Sequence, residues 1–178
     1  MSTVAAVSPY GRFAAVFREE HRVVRDLLFD LLDAYELGDR ARAGKVTSEV
    51  ARITGPHFRY EEEALYPALV PVFGPDYIEK LLGDHDLAIA SARRLVELTD
   101  RRLVELTDKR ELSAEERDEA IRLTRGILPH VSDCEGLTIM AELFPEPALE
   151  SVLDARARAR EAGLDLLTWA REIRKRPA

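Results

Sequence analysis

The sequence predicts an all-α protein, an up-down-up-down four-helix bundle with one or two extra C-terminal helices. Apolar residues recur three or four positions apart through four long segments, which is the spacing of the buried face of a bundle helix. No segment alternates apolar and polar residues over the length of a strand. The short connections between the four segments favour antiparallel neighbours. We therefore expect residues 1–145 to form the bundle and residues 146–178 to form a helical extension packed on it.

The first two helices are bounded by glycine and proline. The first should run from about residue 11 to residue 37 and end at Gly38, because glycine commonly follows the last turn of a helix. The second should run from about residue 41 to residue 69. The region of Pro67 and Pro71 is expected to stop it.

The remaining helices have start signals of their own. Pro75 suits the first turn of a third helix. Ser113 and Glu116 have the spacing of a capping box, which predicts the start of a fourth helix. The extension reads as one or two helices broken near Gly163. From Arg171 onward the chain is basic, and we expect a frayed, solvated end.

A repeated octapeptide interrupts the regular pattern. RRLVELTD occupies residues 93–100 and again residues 101–108. Eight residues of helix rotate by about 80°, so the two copies cannot present the same face in one continuous helix. We interpret the second copy as a tandem insertion that lengthens the end of the third helix and the following connection, and we assign it no function.

The amino-acid composition indicates which classes of partner and which cellular compartment to expect. The chain has 26 Lys and Arg against 33 Asp and Glu, a net charge of −7, which argues against nucleic-acid binding. No apolar run approaches the roughly 20 residues that cross a bilayer, and the N-terminus lacks the features of a secretory signal. The single cysteine cannot form an internal disulfide. We expect a cytoplasmic protein with no nucleic-acid or membrane partner, and protein partners stay open.

The four histidines fall one on each predicted helix, always on its apolar face. They are His21, His57, His85 and His130. Each could be an ordinary core histidine that hydrogen-bonds to a neighbour. Four such burials would need four separate explanations, whereas a shared metal site needs one, because neutral imidazoles are common metal ligands. The pattern therefore favours a metal site inside the bundle.

Two glutamates accompany the histidines. Glu61 follows His57 by four residues, and Glu135 follows His130 by five. A proline precedes each of these two histidines and would bend its helix. Four imidazoles and two carboxylates suit a pair of borderline transition-metal ions, with carboxylates bridging between them. Six protein ligands for two ions leave open positions for a small ligand.

This pattern resembles the hemerythrin-like (HHE cation-binding) domain over roughly residues 11–145, most specifically in HFRYEEEALYPAL. The resemblance implies a four-helix bundle around an oxo- or hydroxo-bridged centre of two non-haem iron ions. Its bridging carboxylates lie four and five residues after their histidines, as Glu61 and Glu135 do. The implied metal ligands are His21, His57, Glu61, His85, His130 and Glu135.

The family's oxygen carriers have a second histidine four residues after the one on the third helix, where this chain has Ile89. The resemblance therefore implies a site one imidazole short, which disfavours reversible oxygen transport. We expect the small ligand to enter near Ile89, with Leu28 and Ile127 limiting water access. Tyr60, three residues after His57, either donates a hydrogen bond to that ligand or is simply packed.

Helix geometry offers two candidates for the last ligand on the fourth helix. Cys134 follows His130 by four residues and faces the site on a regular helix, whereas Glu135 lies about 140° away. We favour Glu135, which then needs a local bulge, with Cys134 beside the ligands. Cys134 as a thiolate ligand and Cys134 as inert core remain alternatives. Glu62 and Glu63 should lie off the apolar face as solvated charges.

The leading functional hypothesis, implied by the resemblance, is a di-iron protein that binds dioxygen, hydrogen peroxide or nitric oxide in redox or oxidative-stress handling. Reaction with peroxide or nitric oxide is a possible enzymatic activity. A second hypothesis is an iron or oxygen sensor that acts through metal-dependent stability, because a bundle with unpaired buried polar groups is loosened without its metal. A third is a metal-free helical interaction module. Zinc can replace iron, since imidazole and carboxylate suit both.

Overall fold

The described part of the chain, residues 8–100 and 111–176 of a computed structural model, is helical and contains no strand. A π-helical turn, Glu61–Leu65, joins the second and third helices, and a 3-10 turn, Ala141–Leu143, follows the fifth. The second copy of the octapeptide lies outside the described residues. The α-helices are α1 (Pro9–Glu36), α2 (Arg40–Tyr60), α3 (Tyr66–Phe73), α4 (Pro75–Thr99), α5 (Ala114–Met140), α6 (Glu146–Ala162) and α7 (Leu166–Glu172).

Several helix ends follow the predicted signals. The Ser113 side chain accepts from the Glu116 backbone N–H at 3.2 Å, and the Glu116 carboxylate accepts from the Ser113 N–H at 2.8 Å. This capping box satisfies two donors that the first turn of α5 leaves unpaired. Gly163 ends α6 with a left-handed φ of 62°, as glycine does at low cost.

The predicted end of the second helix is wrong. The helical path continues through the π turn and α3, and it stops at Gly74, whose φ is 79°. Pro67 does not end it because it occupies the first turn of α3, where a missing N–H is tolerated. Pro71 lies inside α3 without ending it.

Contacts between the long helices close a ring, with α1 against α2, α2 against α4, α4 against α5 and α5 against α1. Within this ring, residues late in one helix face residues early in the next. The polar pairs that show this are Glu20–His57 (2.9 Å) and Asp30–Arg42 for α1 and α2, Lys80–Asp133 (3.1 Å) and Arg94–Glu119 (2.9 Å) for α4 and α5, and Arg25–Glu135 (3.3 Å) and Glu36–Arg125 (3.4 Å) for α1 and α5.

The C-terminal helices pack against the ring, with α6 on α2 and α1 and α7 on α2 and α4. The connection between α6 and α7 approaches α2 so closely that a Cβ at Gly55 would lie 2.2 Å from the Leu164 carbonyl oxygen. The expectation of a frayed, solvated tail is wrong. Although Arg171 is exposed, the Arg174 side chain is only 1% exposed, because it forms ion pairs with acidic residues of the ring.

No helix within the described ranges is both long enough and apolar enough to span a membrane.

Candidate metal centre

The structure brings the four predicted histidines together inside the helical ring. The ring centroids of His21 and His57 are 4.6 Å apart, and those of His85 and His130 are 4.8 Å apart. All four residues are buried. The chain thus places two imidazole pairs, one from α1 and α2 and one from α4 and α5, in a dry interior.

Glu61 lies between the two pairs and is fully buried. Its Oε1 is 3.3 Å from His57 Nε2, and its Oε2 is 3.2 Å from His85 Nε2. Neither oxygen has a partner in good hydrogen-bonding geometry within the described part of the chain. A buried carboxylate left in this state is costly unless a proton or a cation lies beside it. Glu61 therefore takes its positive charge either from a protonated histidine beside it or from a bound cation.

Two groups of potential ligands share Glu61. One consists of His21, His57 and Glu61, and the other of Glu61, His130 and Cys134, with the ligand atoms of each group within 4.8 Å of one another. Imidazole, carboxylate and thiolate are donors that borderline transition metals accept. The residues present fit cation binding on both sides of Glu61. We call the following six residues the histidine cluster: His21, His57, Glu61, His85, His130 and Cys134.

An acceptor lies within hydrogen-bonding distance of the outer nitrogen, Nδ1, of three of the four imidazoles, and a carboxylate lies slightly farther from the fourth. When Nδ1–H donates outward, Nε2 keeps its lone pair and faces the interior, which is how outer contacts orient metal-binding histidines. The Nδ1 contacts are His21 to the Phe17 carbonyl (2.8 Å), His57 to Glu20 Oε2 (2.9 Å), His85 to Glu62 Oε1 (2.9 Å) and His130 to Asp84 Oδ2 (3.6 Å).

Electrostatics divide the four rings into two kinds. Burial and the neighbouring His57 lower the pKa of His21 to about 4, and burial and His85 lower that of His130 to about 4. Burial also disfavours charge on His57, but Glu61 and Glu20 outweigh it and raise the pKa to about 10. The pKa of Glu61 is well below its usual value because His57 and His85 outweigh its burial. His21 and His130 are thus neutral near pH 7, as metal ligands must be, whereas His57 must lose a proton to bind a metal.

A family model described as the hemerythrin HHE cation-binding domain matches residues 12–140. The chain belongs to this family. Neither the curated proteins nor the solved structures contained a match. The match covers α1 to α5, and α6 and α7 lie beyond it. For this hemerythrin-family chain, cation binding is therefore the function that the sequence and the buried cluster both support.

The structure does not bring Glu135 to the histidine cluster. The Glu135 side chain is 36% exposed and pairs with Arg25 at 3.3 Å. The bulge that we expected is absent, because α5 is a regular α-helix over Ala114–Met140 and five residues turn through about 140°. Cys134 is fully buried instead, with its Sγ 3.5 Å from His130 Nε2. A buried Cys134 at this distance fits both the thiolate alternative and the inert-core alternative, and burial and Glu61 raise the pKa of its thiol.

The helical irregularity lies at Glu61–Leu65 instead, and it brings in Tyr66, which the sequence analysis missed. The Tyr66 hydroxyl is 3.0 Å from His85 Nε2 and 3.4 Å from Cys134 Sγ. In a π turn, residues five apart lie on one face, so Tyr66 joins Glu61. Pro67, which has no N–H to donate, is the sequence signal for this departure from the α-helix.

Tyr60, the tyrosine that we singled out, lies on the outer side of His57, beside its Nδ1 atom. Its hydroxyl donates to Glu20 Oε2 at 2.9 Å and is 3.2 Å from His57 Nδ1. It therefore buttresses the outer side of His57. The hydroxyl nearest the inward nitrogens, among the described residues, belongs to Tyr66.

The prediction for Glu62 is wrong, and that for Glu63 matches the structure. The Glu62 side chain is 11% exposed and accepts from His85 Nδ1 at 2.9 Å. Glu63 is exposed and pairs with Arg59 at 3.0 Å. The π turn places these consecutive acids differently from a regular helix, which the seam pattern does not reveal.

Two more acceptors were missed, although the sequence holds a signal for them. Glu20 and Asp84 each directly precede a histidine, in EEH and GDH. Each serves the histidine of the adjoining helix rather than its own neighbour, Glu20 for His57 and Asp84 for His130. The same arrangement thus occurs on α1 and on α4: an acidic residue directly precedes one histidine of the cluster and contacts the histidine of the adjoining helix.

Aromatic rings cover the cluster. Phe58 stacks on His85 with centroids 3.7 Å apart, and the Phe17 centroid lies 4.3 Å from His21. The predicted pocket residues Leu28, Ile89 and Ile127 are buried in the same apolar cluster as Phe58. These groups keep bulk water from the inward nitrogens.

A cavity of about 520 Å³ lies outside the histidine cluster, between α1, α2 and α6. Its walls include Glu20, His57, Tyr60 and Arg156. Glu20 hydrogen-bonds to all three of these neighbours. Glu20 therefore links the outer nitrogen of His57 to the Arg156 guanidinium at the wall of this cavity.

Proposed function

We propose that this protein holds two iron ions, oxo- or hydroxo-bridged, in the histidine cluster and uses them to bind dioxygen, hydrogen peroxide or nitric oxide. The observation that carries the proposal is Glu61, whose two buried oxygens face different imidazole pairs without hydrogen-bond partners in the described residues. Membership of a cation-binding family supports it independently. The biological role we infer is redox or oxidative-stress handling.

The proposed ligands follow the two groups that share Glu61. His21 and His57 would bind one ion, and His85, His130 and Cys134 the other, with Glu61 between them. This set keeps five of the six predicted ligands and replaces Glu135 by Cys134. A thiolate changes the character of the second position, since soft sulfur ligands also suit zinc.

A pair of ferrous ions held here would supply two electrons to an oxidant. The chain's own groups would do the rest. The imidazoles would bind through Nε2, while the Nδ1–H groups of His21, His57 and His85 donate outward. Tyr66, with its hydroxyl beside His85 and Cys134, is placed to donate a hydrogen bond to the small ligand. Phe58 and Ile89 exclude water from the position where oxygen carriers have a further histidine.

The supporting architecture is proposed to be the up-down-up-down bundle of α1, α2, α4 and α5. The closed ring of contacts and the opposed polar pairs support it. We also propose the division into a bundle, residues 1–145, and an extension, residues 146–178. A cytoplasmic location and the absence of nucleic-acid partners remain proposals, supported by the net charge of −7 and the single cysteine.

The test is metal analysis of protein produced with iron, with visible spectra recorded before and after dithionite, air, peroxide and nitric oxide. We expect two iron ions per chain and a charge-transfer spectrum that each oxidant alters. Protein that takes up no iron under these conditions would overturn the proposal. Zinc at two ions per chain, with no spectral response, would replace the redox function by a zinc site.

Sensing through stability is a second candidate, and the same buried carboxylate favours it. Without a cation, Glu61 and four packed imidazoles should weaken the bundle. A sensor would show a large melting shift on iron removal with little turnover of peroxide. A metal-free interaction module, the third candidate, would melt at the same temperature with and without a chelator.

A further inference from the structure

The C-terminal extension, which lies outside the matched family domain, reaches the metal centre through two arginines. Arg156 on α6 binds Glu20, and Arg174 after α7 binds Glu62. These two glutamates are the acceptors that hold the outer nitrogens of His57 and His85. The extension therefore meets the two histidines whose Nε2 atoms flank Glu61.

The contacts on the His57 side form a continuous chain. Arg156 donates to Glu20 Oε1 through Nε at 2.8 Å and through Nη2 at 2.6 Å, and Arg160 adds a contact at 3.2 Å. The other oxygen, Oε2, accepts from His57 and from Tyr60, both at 2.9 Å. One oxygen of Glu20 thus faces the extension while the other orients the imidazole.

On the His85 side, the arginine contacts both oxygens of the glutamate. Arg174 donates to Glu62 Oε1 through Nη2 at 2.8 Å and to Oε2 through Nε at 3.0 Å, and Glu62 Oε1 accepts from His85. The remaining nitrogen, Nη1, lies 2.7 Å from Asp86. The Arg174 side chain is 1% exposed, so this guanidinium is built into the fold.

The other two histidines are held differently. His21 donates to a backbone carbonyl of its own helix, and His130 lies 3.6 Å from Asp84, which pairs with Lys80 of its own helix. Both of the histidine acceptors that the extension contacts are therefore glutamate side chains. A carboxylate that rotates away from an imidazole Nδ1 no longer orients that ring. Arg174 contacts both oxygens of Glu62 and so fixes the plane of that carboxylate, whereas Arg156 fixes Glu20 by two N–H groups on one oxygen.

We propose that Arg156 and Arg174 are positioning residues for the metal centre and that the extension is a clamp. By the C-terminal clamp we mean these two arginines with Glu20 and Glu62. The clamp keeps both glutamates as hydrogen-bond acceptors, fixes the imidazole planes of His57 and His85, and slows the release of metal. This inference rests on the proposed function, because a clamp on metal release requires that the cluster bind metal.

The experiment uses the full chain with Arg174→Gln, the conservative Arg174→Lys, and Arg171→Gln as a matched control. Arg171 is an exposed arginine of the same tail, paired with Glu172. Arg156→Gln is compared in the same way with Arg158→Gln, since Arg158 is an exposed residue of the same helix. The first readout is the rate at which iron-loaded protein loses metal to an excess of chelator. The second is solvent exchange of the imidazole Nδ1–H protons, measured by NMR in metal-free protein.

We expect the two Gln variants to lose metal about 10-fold faster than the wild type, at the lower end of the effect of removing an outer contact of a metal ligand. Arg174→Lys should recover part of the loss, since lysine keeps the charge without the bidentate geometry. The Nδ1–H of His85 should exchange faster in Arg174→Gln, and that of His57 in Arg156→Gln. Both control variants should match the wild type.

Unchanged metal release in the Gln variants, with only a lower melting temperature, would reduce the arginines to a structural role and overturn the clamp. Wild-type protein that binds no metal would overturn the proposed function. The proton-exchange readout then still decides whether the arginines position the imidazoles. Exchange rates that do not change in either Gln variant would reject the positioning role on that evidence alone.

Discussion

Replacing Glu61 by glutamine should abolish metal-dependent stabilisation at both cation positions at once. Glutamine has the shape of glutamate but lacks the charge that faces His57 and His85 at 3.3 and 3.2 Å. Each of the two ligand groups contains Glu61. The substitution therefore removes one anionic ligand from both positions, which no other single change among the described residues is expected to do.

The size of the effect follows from linkage. An ion present at 100 times its dissociation constant stabilises the folded state by about 2.7 kcal/mol, so two ions contribute roughly 5 kcal/mol. For a chain of this size, each kcal/mol moves the melting temperature by about 2–4 °C. Iron should thus raise the melting temperature of the wild type by roughly 10–20 °C, and most of that rise should vanish in Glu61→Gln.

Melting temperatures of the metal-free proteins separate the loss of metal binding from the effect of the substitution itself on stability. Because the pKa of Glu61 lies well below its usual value and that of His57 is raised to about 10, glutamine leaves a buried imidazolium without its carboxylate, and metal-free Glu61→Gln should melt lower than metal-free wild type. Anaerobic thermal melts with ferrous iron and with chelator measure both effects. Glu63→Gln is the control, since Glu63 is exposed two residues further on and pairs with Arg59. A full iron-dependent shift in Glu61→Gln would refute the assignment of Glu61.

Three other predictions follow from the same geometry. His21→Ala and Cys134→Ser should each lower the iron content toward one ion per chain, and unchanged content by elemental analysis would remove the residue from the ligand set. Tyr66→Phe should keep both ions and change the rate of reaction with peroxide or nitric oxide in stopped-flow spectra; an unchanged rate would exclude its hydroxyl from the ligand pocket. Gly55→Ala should destabilise the protein by about 1–3 kcal/mol in urea unfolding, because its Cβ would lie 2.2 Å from the Leu164 carbonyl; an unchanged midpoint would contradict this packing.

The fold and the central histidines were accessible to sequence reasoning because both depend on helical periodicity. An imidazole on an apolar seam must point inward once the helix packs, so His21, His57, His85 and His130 could be found without knowledge of the partner helices. Glu61, one turn after His57, shares its face for the same reason. The family resemblance, now confirmed over residues 12–140, rests on these same positions.

The errors concern places where the helix departs from regular geometry or where a distant segment supplies the partner. The resemblance required a bulge near Glu135, whereas the π turn lies at Glu61–Leu65 and brings Tyr66 inward. Glu62 looked like a solvated charge because its partner, Arg174, lies 112 positions away in the chain. Periodicity within a helix does not report ion pairs between distant segments.

The most direct measurement is an anomalous difference map at the iron absorption edge, from a crystal of the iron-loaded protein. We predict two peaks, one on each side of the Glu61 carboxylate, one near His21 and His57 and the other near His130 and Cys134. A map with no peak inside the helical ring, or with iron only at surface carboxylates such as Glu135, would contradict the account.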